Sequence, residues 1–220
     1  MFNIDFHQLI IMLIPLMFAV TIHEAAHGYI ALRMGDATAL MMGRVTLNPI
    51  RHMDPIGSFI LPLLLYVTGM PFLFGYAKPV PVNSRNFRNF KKGTIMVAAA
   101  GVTANLITAL ISGLLFQILN TGAGFFLTSS LGHAVFVDLS NLLAYSVIIN
   151  LVLMIFNLIP IPPLDGSRIM AVVLPIHLRM AYARIERFGM IILIIILYTG
   201  IFGTIYRLLV RPIAGLLLGG

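Results

Sequence analysis

The sequence contains no cysteine, and acidic side chains are scarce. Without cysteine, disulfides and thiolate metal sites are excluded. Charged residues make up 10% of the 220 positions, and only seven of them are carboxylates. A metal site would have to draw its ligands from histidine and from these few carboxylates.

Apolar residues dominate the chain, at 60% of the composition. An ordinary soluble domain of this size does not have such a composition, which indicates a polytopic membrane protein. The net charge of +7 does not indicate nucleic acid as a partner, because the basic residues lie in loops between apolar segments. We read these residues as topology signals. The N-terminus lacks a basic region and a small-residue cleavage site, so we expect no cleaved signal peptide.

Four segments are long and apolar enough to cross a bilayer as helices, for which about 20 residues suffice. They are residues 8–34, 93–119, 135–159 and 188–206. We therefore expect an all-α polytopic membrane protein with about four full transmembrane helices, a re-entrant segment and short membrane-associated β-strands. A single domain would occupy residues 1–220, with a core at about 8–175 and a C-terminal helical segment at 188–220.

The distribution of basic residues predicts the topology. None precedes the first span, and none lies in 120–134, so the positive-inside rule places both regions outside. The same rule places residues 33–54, 78–92 and 168–187 in the cytoplasm. Residues 56–76, which glycines and prolines interrupt, would then enter and return on one side. The alternative is that this segment is a full fifth span.

Two stretches have the pattern of extended chain. Residues 37–54 contain alternating polar and apolar residues at 44–47 between turn-forming residues, which suits a short strand or hairpin at the membrane surface. Residues 76–83 are rich in proline and are therefore very unlikely to form a helix.

The prolines at 79 and 81 leave Lys78, Val80 and Val82 as the backbone donors between 78 and 82. Residues two apart on a strand are equivalent in register, so one open edge carrying these donors can pair with an unwound substrate. The alternative interpretation is a rigid proline-rich linker.

The first span contains three ionisable residues within five positions, namely His23, Glu24 and His27. Positions i and i+4 share one face of a helix, so both imidazoles can bind one Zn²⁺. Glu24 follows the first ligand and is placed to act as a general base. Ionisable groups inside a span are costly, which favours a functional site. The alternative is a polar helix–helix contact or a pair of satisfied buried histidines.

A third ligand can be sought by elimination among the seven acids, which are Asp5, Glu24, Asp36, Asp54, Asp138, Asp165 and Glu186. Asp165 follows the cytoplasmic end of the third span, where prolines break the helix and let the chain fold back to the depth of the histidines. We expect Asp5 and Asp138 on the outer side, and Asp36, Asp54 and Glu186 in charged surface loops. The alternative interpretation of Asp165-Gly166 is a simple turn.

Four motifs now stand in order along the chain: His23-Glu24-Ala25-Ala26-His27, the Gly-Tyr-Ala-Lys-Pro-Val-Pro-Val-Asn stretch at 75–83, Gly101-x-x-x-Asn105, and Asn157-x-x-Pro160 leading to Leu164-Asp165-Gly166. Together they resemble the site-2 protease family of intramembrane zinc metalloproteases over roughly residues 8–175. One departure is Val102, where members of the family often have proline.

The resemblance implies one catalytic Zn²⁺ held by His23, His27 and Asp165, with Glu24 as the base. It also implies cleavage of transmembrane protein substrates within or near the lipid bilayer. From the charge distribution we expect the site toward the cytoplasmic side of a prokaryotic cell membrane. We expect no PDZ or CBS module within these residues, and the oligomeric state stays open. Two rival functions are a zinc carrier with the same ligands and a non-catalytic scaffold.

Two asparagines have a double interpretation. Asn105 and Asn157 are candidate substrate-binding residues, and each is equally explained as an amide contact between helices.

Overall fold

The computed structural model describes residues 5–68 and 77–220, and all regular structure in these ranges is helical. The α-helices of these ranges, α1 to α11 in chain order, are Phe6–Met34, Thr38–Met41, Leu61–Val67, Phe90–Thr121, Ala123–Phe126, Ser130–Leu158, Asp165–Val173, Ile176–Ile185, Gly189–Tyr198, Ile201–Ile205 and Arg211–Leu218. Short 3₁₀ turns lie at Pro49–Arg51, Ser84–Asn86 and Glu186–Phe188, and π-helical turns at Pro55–Ile60 and Tyr206–Val210.

Within the described residues, four helical stretches are long and apolar enough to cross a membrane: Phe6–Met34, Phe90–Thr121, Ser130–Leu158 and Ile201–Leu218. The predicted number of spans is confirmed, but the last one is displaced from the predicted 188–206. The chain turns after α9 because Gly200 adopts a φ of 76°, a left-handed conformation that glycine reaches without a Cβ clash.

Local side-chain signals begin and end the long helices. Asp5 caps α1 by accepting from the Gln8 N–H at 3.0 Å, and Asn89 caps α4 by accepting from the Lys92 N–H at 2.9 Å. Gly35 ends α1 with a φ of 112°. Side chains of this type satisfy the free N–H groups of the first turn, so the bounds of these helices follow from the sequence.

Residues 37–54 form the short helix α2 and turns, and not the predicted strand or hairpin. The Asp36 carboxylate accepts from the Thr38 N–H at 3.1 Å and precedes α2, and Asn48 accepts from the Ile50 N–H at 3.1 Å at the start of a 3₁₀ turn. Such short-range bonds give the backbone an alternative to a ladder. No strand occurs anywhere in the part of the chain that the structure describes.

Helices α1, α4 and α6 pack against one another. Leu16 and Ala19 of α1 contact Ile149 of α6 in one buried cluster. A second cluster joins α4 and α6 to the C-terminal helices through Ala109, Val147, Leu151, Ile155, Val210 and Ala214. Small residues at these contacts let the backbones approach closely, which brings the polar residues of the three helices together in the middle.

The helical stretch Pro55–Val67 is too short to cross a bilayer. At about 1.5 Å per residue it is about 20 Å long, against a hydrocarbon core of about 30 Å. The Tyr66 hydroxyl reaches the start of α1, where it donates to the Asp5 carbonyl at 3.2 Å. Further along the chain, the Lys78 N–H donates to the His52 carbonyl at 2.9 Å, so the two flanks of the predicted segment 56–76 are adjacent. Residues 69–76 of that segment lie outside the described residues.

Candidate metal centre

The two histidines of α1 face each other across one helical turn. Their ring centroids are 4.6 Å apart, and the Nε2 atoms of His23 and His27 are 3.0 Å apart. Both side chains are buried. The i, i+4 spacing therefore places both imidazoles on one face, as predicted from the sequence.

The second nitrogen of each ring is held by α4. The Nδ1–H of His23 donates to Asn105 Oδ1 at 2.6 Å, and the Nδ1–H of His27 donates to the Val97 carbonyl at 2.7 Å. A carbonyl oxygen only accepts, so Nδ1 must carry the hydrogen in both rings. Each neutral imidazole then presents an Nε2 lone pair, which is the tautomer that a metal ligand needs.

Asp165 joins the histidines because the chain reverses after α6. The helix ends at Leu158, and α7 begins at Asp165 itself. Gly166 lies directly against the Leu158 carbonyl, where a Cβ atom would have no space. Asp165 Oδ2 lies 3.1 Å from the Nε2 atoms of both histidines. The acid chosen by elimination is therefore the one that the structure brings to the pair.

These three atoms fit a metal ion. Two imidazole lone pairs and a carboxylate oxygen converge within 4.8 Å of one another, and all three residues are buried. No hydrogen-bond donor among the described residues faces Asp165 Oδ2. Converging acceptors in a buried place repel unless a cation lies between them. Two histidines and one carboxylate are a known catalytic zinc set.

Gly101 lets α4 approach the histidines. A Cβ atom at this position would lie 2.5 Å from His23 Cε1 and 2.6 Å from His27 Nε2, closer than carbon and nitrogen atoms can pack. The sequence shows Gly101 one turn before Asn105, but its contact with the imidazoles could not be read from that spacing. Helix α4 is continuous through Val102, so the departure from the family's proline does not interrupt the helix.

Glu24 lies beside the ligand set and is not part of it. Its Oε2 atom accepts from the backbone N–H of Val80 at 2.7 Å. The Val80 side chain is buried over Gly28, where Ala39 and Val45 also pack. The proline-rich segment thus lies on the α1 face that carries Glu24.

The backbone donors of the segment differ from expectation. The N–H groups of Lys78 and Val80 bind the His52 carbonyl and Glu24, and the N–H of Asn83 binds Asp36 Oδ2 at 2.7 Å. Two of the three predicted substrate donors thus point into the protein and not to an open edge. The acceptors are the His52 carbonyl and the carboxylates of Glu24 and Asp36. The sequence pattern alone does not show that these groups take the donors of the segment.

Asp36 is fully buried, so its predicted place in a charged surface loop is wrong. Its carboxylate accepts from the Thr38 hydroxyl, the Asn86 side chain and the Asn83 N–H. Burial opposes ionisation, but these hydrogen bonds outweigh it and hold the pKa of Asp36 below its ordinary value. The cluster fastens residues 83–86 to the end of α1.

The structure separates the two candidate asparagines. Asn105 is fully buried and bonded to His23, whereas the Asn157 side chain is half-buried and donates to the Leu153 carbonyl of its own helix at 2.9 Å. Asn150, which the sequence did not single out, is fully buried and bonded to Asn105 at 2.8 Å. The Val97 carbonyl, which accepts from His27, was also missed, since a backbone acceptor leaves no sequence signal.

Comparison with known proteins adds independent findings. The model of peptidase family M50 matches residues 11–200. The chain is 37% identical over 189 residues to the "Putative zinc metalloprotease YwhC" of Bacillus subtilis, covering 86% of this chain and 80% of that protein. It is 29% identical over 178 residues to the "Putative zinc metalloprotease Rip2" of Mycolicibacterium smegmatis, covering 81% of this chain and 62% of that protein. A Rip2 protein of Mycobacterium tuberculosis H37Rv is 29% identical over 196 residues, covering 85% and 68% of the two chains. No solved structure gives a significant match.

Proposed function

Because the chain belongs to peptidase family M50, the site-2 protease family, we propose that it is a zinc endopeptidase that cleaves transmembrane segments of membrane proteins within or near the bilayer. The observation that carries this proposal is the convergence of the His23, His27 and Asp165 ligand atoms beside Glu24, inside a bundle of membrane-spanning helices. Buried ionisable groups in such a bundle are costly, so their presence marks a functional site.

His23, His27 and Asp165 would hold the zinc ion through Nε2, Nε2 and Oδ2. When bound, zinc polarises the scissile carbonyl and lowers the pKa of the attacking water toward about 7. Glu24 accepts the proton of that water and later delivers it to the leaving amine. The Val80 N–H fixes one carboxylate oxygen of Glu24, which leaves the other oxygen for proton transfer.

The substrate helix must unwind locally, because its own hydrogen bonds shield a helical peptide bond. Of the predicted donors, Val82 is the one that we retain for pairing with the unwound segment, while Lys78 and Val80 would have to exchange their present partners. Asn157 remains a proposed substrate contact. The bonds of Asn105 favour an orienting role.

The function can be tested by separating zinc binding from hydrolysis. Glu24→Gln should abolish cleavage of a transmembrane substrate while zinc content stays at the parent level, since Glu24 is not a ligand. Asp165→Ala should lose zinc as well as activity. Asp138→Ala is the matched control, because Asp138 pairs with the exposed His7. Loss of zinc in Glu24→Gln, or equal zinc content in both aspartate variants, would contradict the assignment. Zinc uptake into proteoliposomes without peptide cleavage would favour the carrier.

We also propose that residues 56–76 are re-entrant, with the active site toward the cytoplasmic side of the cell membrane. Support comes from the bond between Lys78 and His52, which places both flanks of the segment together, and from the basic residues on either side. Residues 33–54 and 78–92 would then share one side of the membrane.

Single cysteines test this path, since the parent has none. Met41, which is 77% exposed, is a suitable probe of residues 33–54. We expect Met41→Cys and Arg85→Cys to react with an impermeant thiol reagent from the cytoplasmic side only, and Asn120→Cys from the outside only. Reaction of Arg85→Cys from outside would mean that the segment crosses.

A further inference from the structure

A chain of buried amides extends from the metal ligands into the bundle. Asn105 of α4 contacts His23, and Asn150 of α6 contacts Asn105. Both asparagines are fully buried. Asn150 has no place in the proposed ligand set or in proton transfer, so its burial in a membrane-spanning helix calls for another explanation.

The bond between Asn150 and Ser146 determines which atom donates and which accepts in each of these amide hydrogen bonds. The Nδ2 group of Asn150 lies 2.8 Å from the carbonyl of Ser146, which can only accept. Asn150 must therefore turn its Oδ1 atom toward Asn105, where it accepts from Asn105 Nδ2 at 2.8 Å. The Ala19 carbonyl is a second and longer acceptor for the same Nδ2 group, at 3.2 Å.

The same reasoning applies to the bond between Asn105 and His23, a proposed metal ligand. With Nδ2 of Asn105 committed to Asn150 and Ala19, its Oδ1 atom faces His23 Nδ1 at 2.6 Å. That oxygen accepts only from a protonated Nδ1, so the Nε2 lone pair of His23 is directed at His27 and Asp165. We propose that Asn150 is a positioning residue that selects the metal-binding tautomer of His23 through Asn105. This inference rests on the metal site of the proposed function.

Removal of Asn150 would weaken the selection of the His23 tautomer without altering any of the proposed metal ligands. Asn105 Nδ2 would keep only the longer bond to Ala19, and its amide could rotate to offer Nδ2 to His23. His23 would then accept at Nδ1 and carry its hydrogen on Nε2, which removes one lone pair from the site. Loss of an orienting partner of a metal-bound histidine weakens metal binding by about 10–100-fold.

The test uses the full chain in detergent with three variants. Asn150→Leu removes the acceptor and is expected to weaken Zn²⁺ binding by about tenfold, the lower end of the range for losing a direct partner, measured by competition with a chelator. Asn150→Asp, as a neutral buried acid, can donate to Ser146 and accept from Asn105, so it should restore zinc affinity. Asn157→Leu is the matched control on the same helix, because Asn157 bonds only within α6, and its zinc affinity should equal that of the parent.

A second readout needs neither zinc nor activity. The ¹⁵N chemical shifts of the His23 ring in metal-free protein report which nitrogen carries the hydrogen. We expect Nδ1–H in the parent and in Asn150→Asp, and a mixture with Nε2–H in Asn150→Leu. An unchanged tautomer in Asn150→Leu overturns the proposal, as does zinc affinity equal to that of the parent. Failure of the proteolytic function would leave these shifts unaffected, so the two hypotheses fail separately.

If Asn150→Leu does not fold, the Asn150→Asp variant still decides the question. A rescue is expected only if hydrogen-bond direction matters, so Nδ1–H and parent zinc affinity in Asn150→Asp support the proposal. An Asn150→Asp protein that is as helical as the parent but has Nε2–H at His23 contradicts it.

Discussion

The helix bundle and the irregular segment 77–88 hold the two halves of the candidate site by different means. In the bundle, the ligand histidines are oriented by the Asn105 side chain and the Val97 carbonyl. In the segment, the base Glu24 is held by a backbone N–H, and the segment in turn is fastened by the Asp36 carboxylate. The orientation of the ligands thus depends on contacts between packed helices, one of them through the Asn105 side chain, whereas the position of the base depends on the path of the main chain at Val80.

This difference implies that metal binding and hydrolysis can be impaired separately. A change in the bundle should alter zinc affinity first, because it moves a ligand or its orienting partner. A change in the segment should alter turnover at constant zinc, because the Val80 N–H bonds to the base and not to a ligand. Two substitutions test this division, and a third tests how the segment is fastened; they follow in order of decreasing expected effect.

Gly101→Ala is expected to have the largest effect, on zinc binding. The added Cβ would lie 2.5 Å from the His23 ring, and such overpacking costs about 1–3 kcal/mol. We expect zinc affinity to fall by about tenfold to a hundredfold, since each ~1.4 kcal/mol is a factor of ten. Gly113→Ala is the control on the same helix, where the Cβ would meet Leu217 at 2.9 Å, far from the histidines. Equal zinc loss in both variants would point to general helix damage.

Val80→Pro should have the next largest effect, on turnover alone. It removes the N–H that binds the Glu24 carboxylate, and a hydrogen bond to a charged group contributes about 1.5–3 kcal/mol. Cleavage should fall by about tenfold, the lower end of this range, with zinc content unchanged, because Glu24 remains beside the ligands.

Val82→Pro is the matched control for the segment, because the Glu24 bond stays intact. If Val82→Pro lowers cleavage more than Val80→Pro, substrate pairing outweighs positioning of the base. Parent activity in Val80→Pro would show that the bond to Glu24 has no role in turnover.

Asp36 should give the smallest effect, visible as a pH dependence of stability. Its pKa is lower in the folded protein, so its stabilisation is complete above the ordinary aspartate pKa of about 3.9 and is lost as the pH falls through the folded value. We expect the unfolding temperature of the parent to drop more steeply on acidification below about pH 4 than that of Asp36→Asn. Asp138→Asn is the control. If the unfolding temperature of Asp36→Asn falls as steeply with pH as that of the parent, Asp36 makes no such contribution.

Much of the fold and of the metal centre follows from local sequence. The spans can be predicted because the thickness of the bilayer sets the length of an apolar segment. The cap residues Asp5 and Asn89 mark where two of the helices begin. His23 and His27 share a face by helical period alone, and Asp165 was found because few acids compete. These features depend on spacing and composition, which a sequence displays directly.

The remaining features depend on contacts between distant parts of the chain. Asp36 was misplaced because its burial is produced by Asn83 and Asn86, about fifty positions later. Asn150 was missed because an asparagine in a span looks the same whether its partner is its own helix or another. The predicted position of the last span was wrong because the left-handed backbone of Gly200 separates α9 from α10, and the sequence does not show that conformation.

His23, Glu24 and His27 lie on one rigid helix, and the acceptors of both histidines lie on another. The order of the contacts is antiparallel, with His23 at Asn105 and His27 at Val97. A slide of α1 along α4 would therefore stretch both Nδ1 bonds at once, and a slide of one turn is about 5.4 Å. The displacement of α1 along α4 is thus a single coordinate that makes or breaks both orienting bonds together, while the two histidines stay side by side on α1.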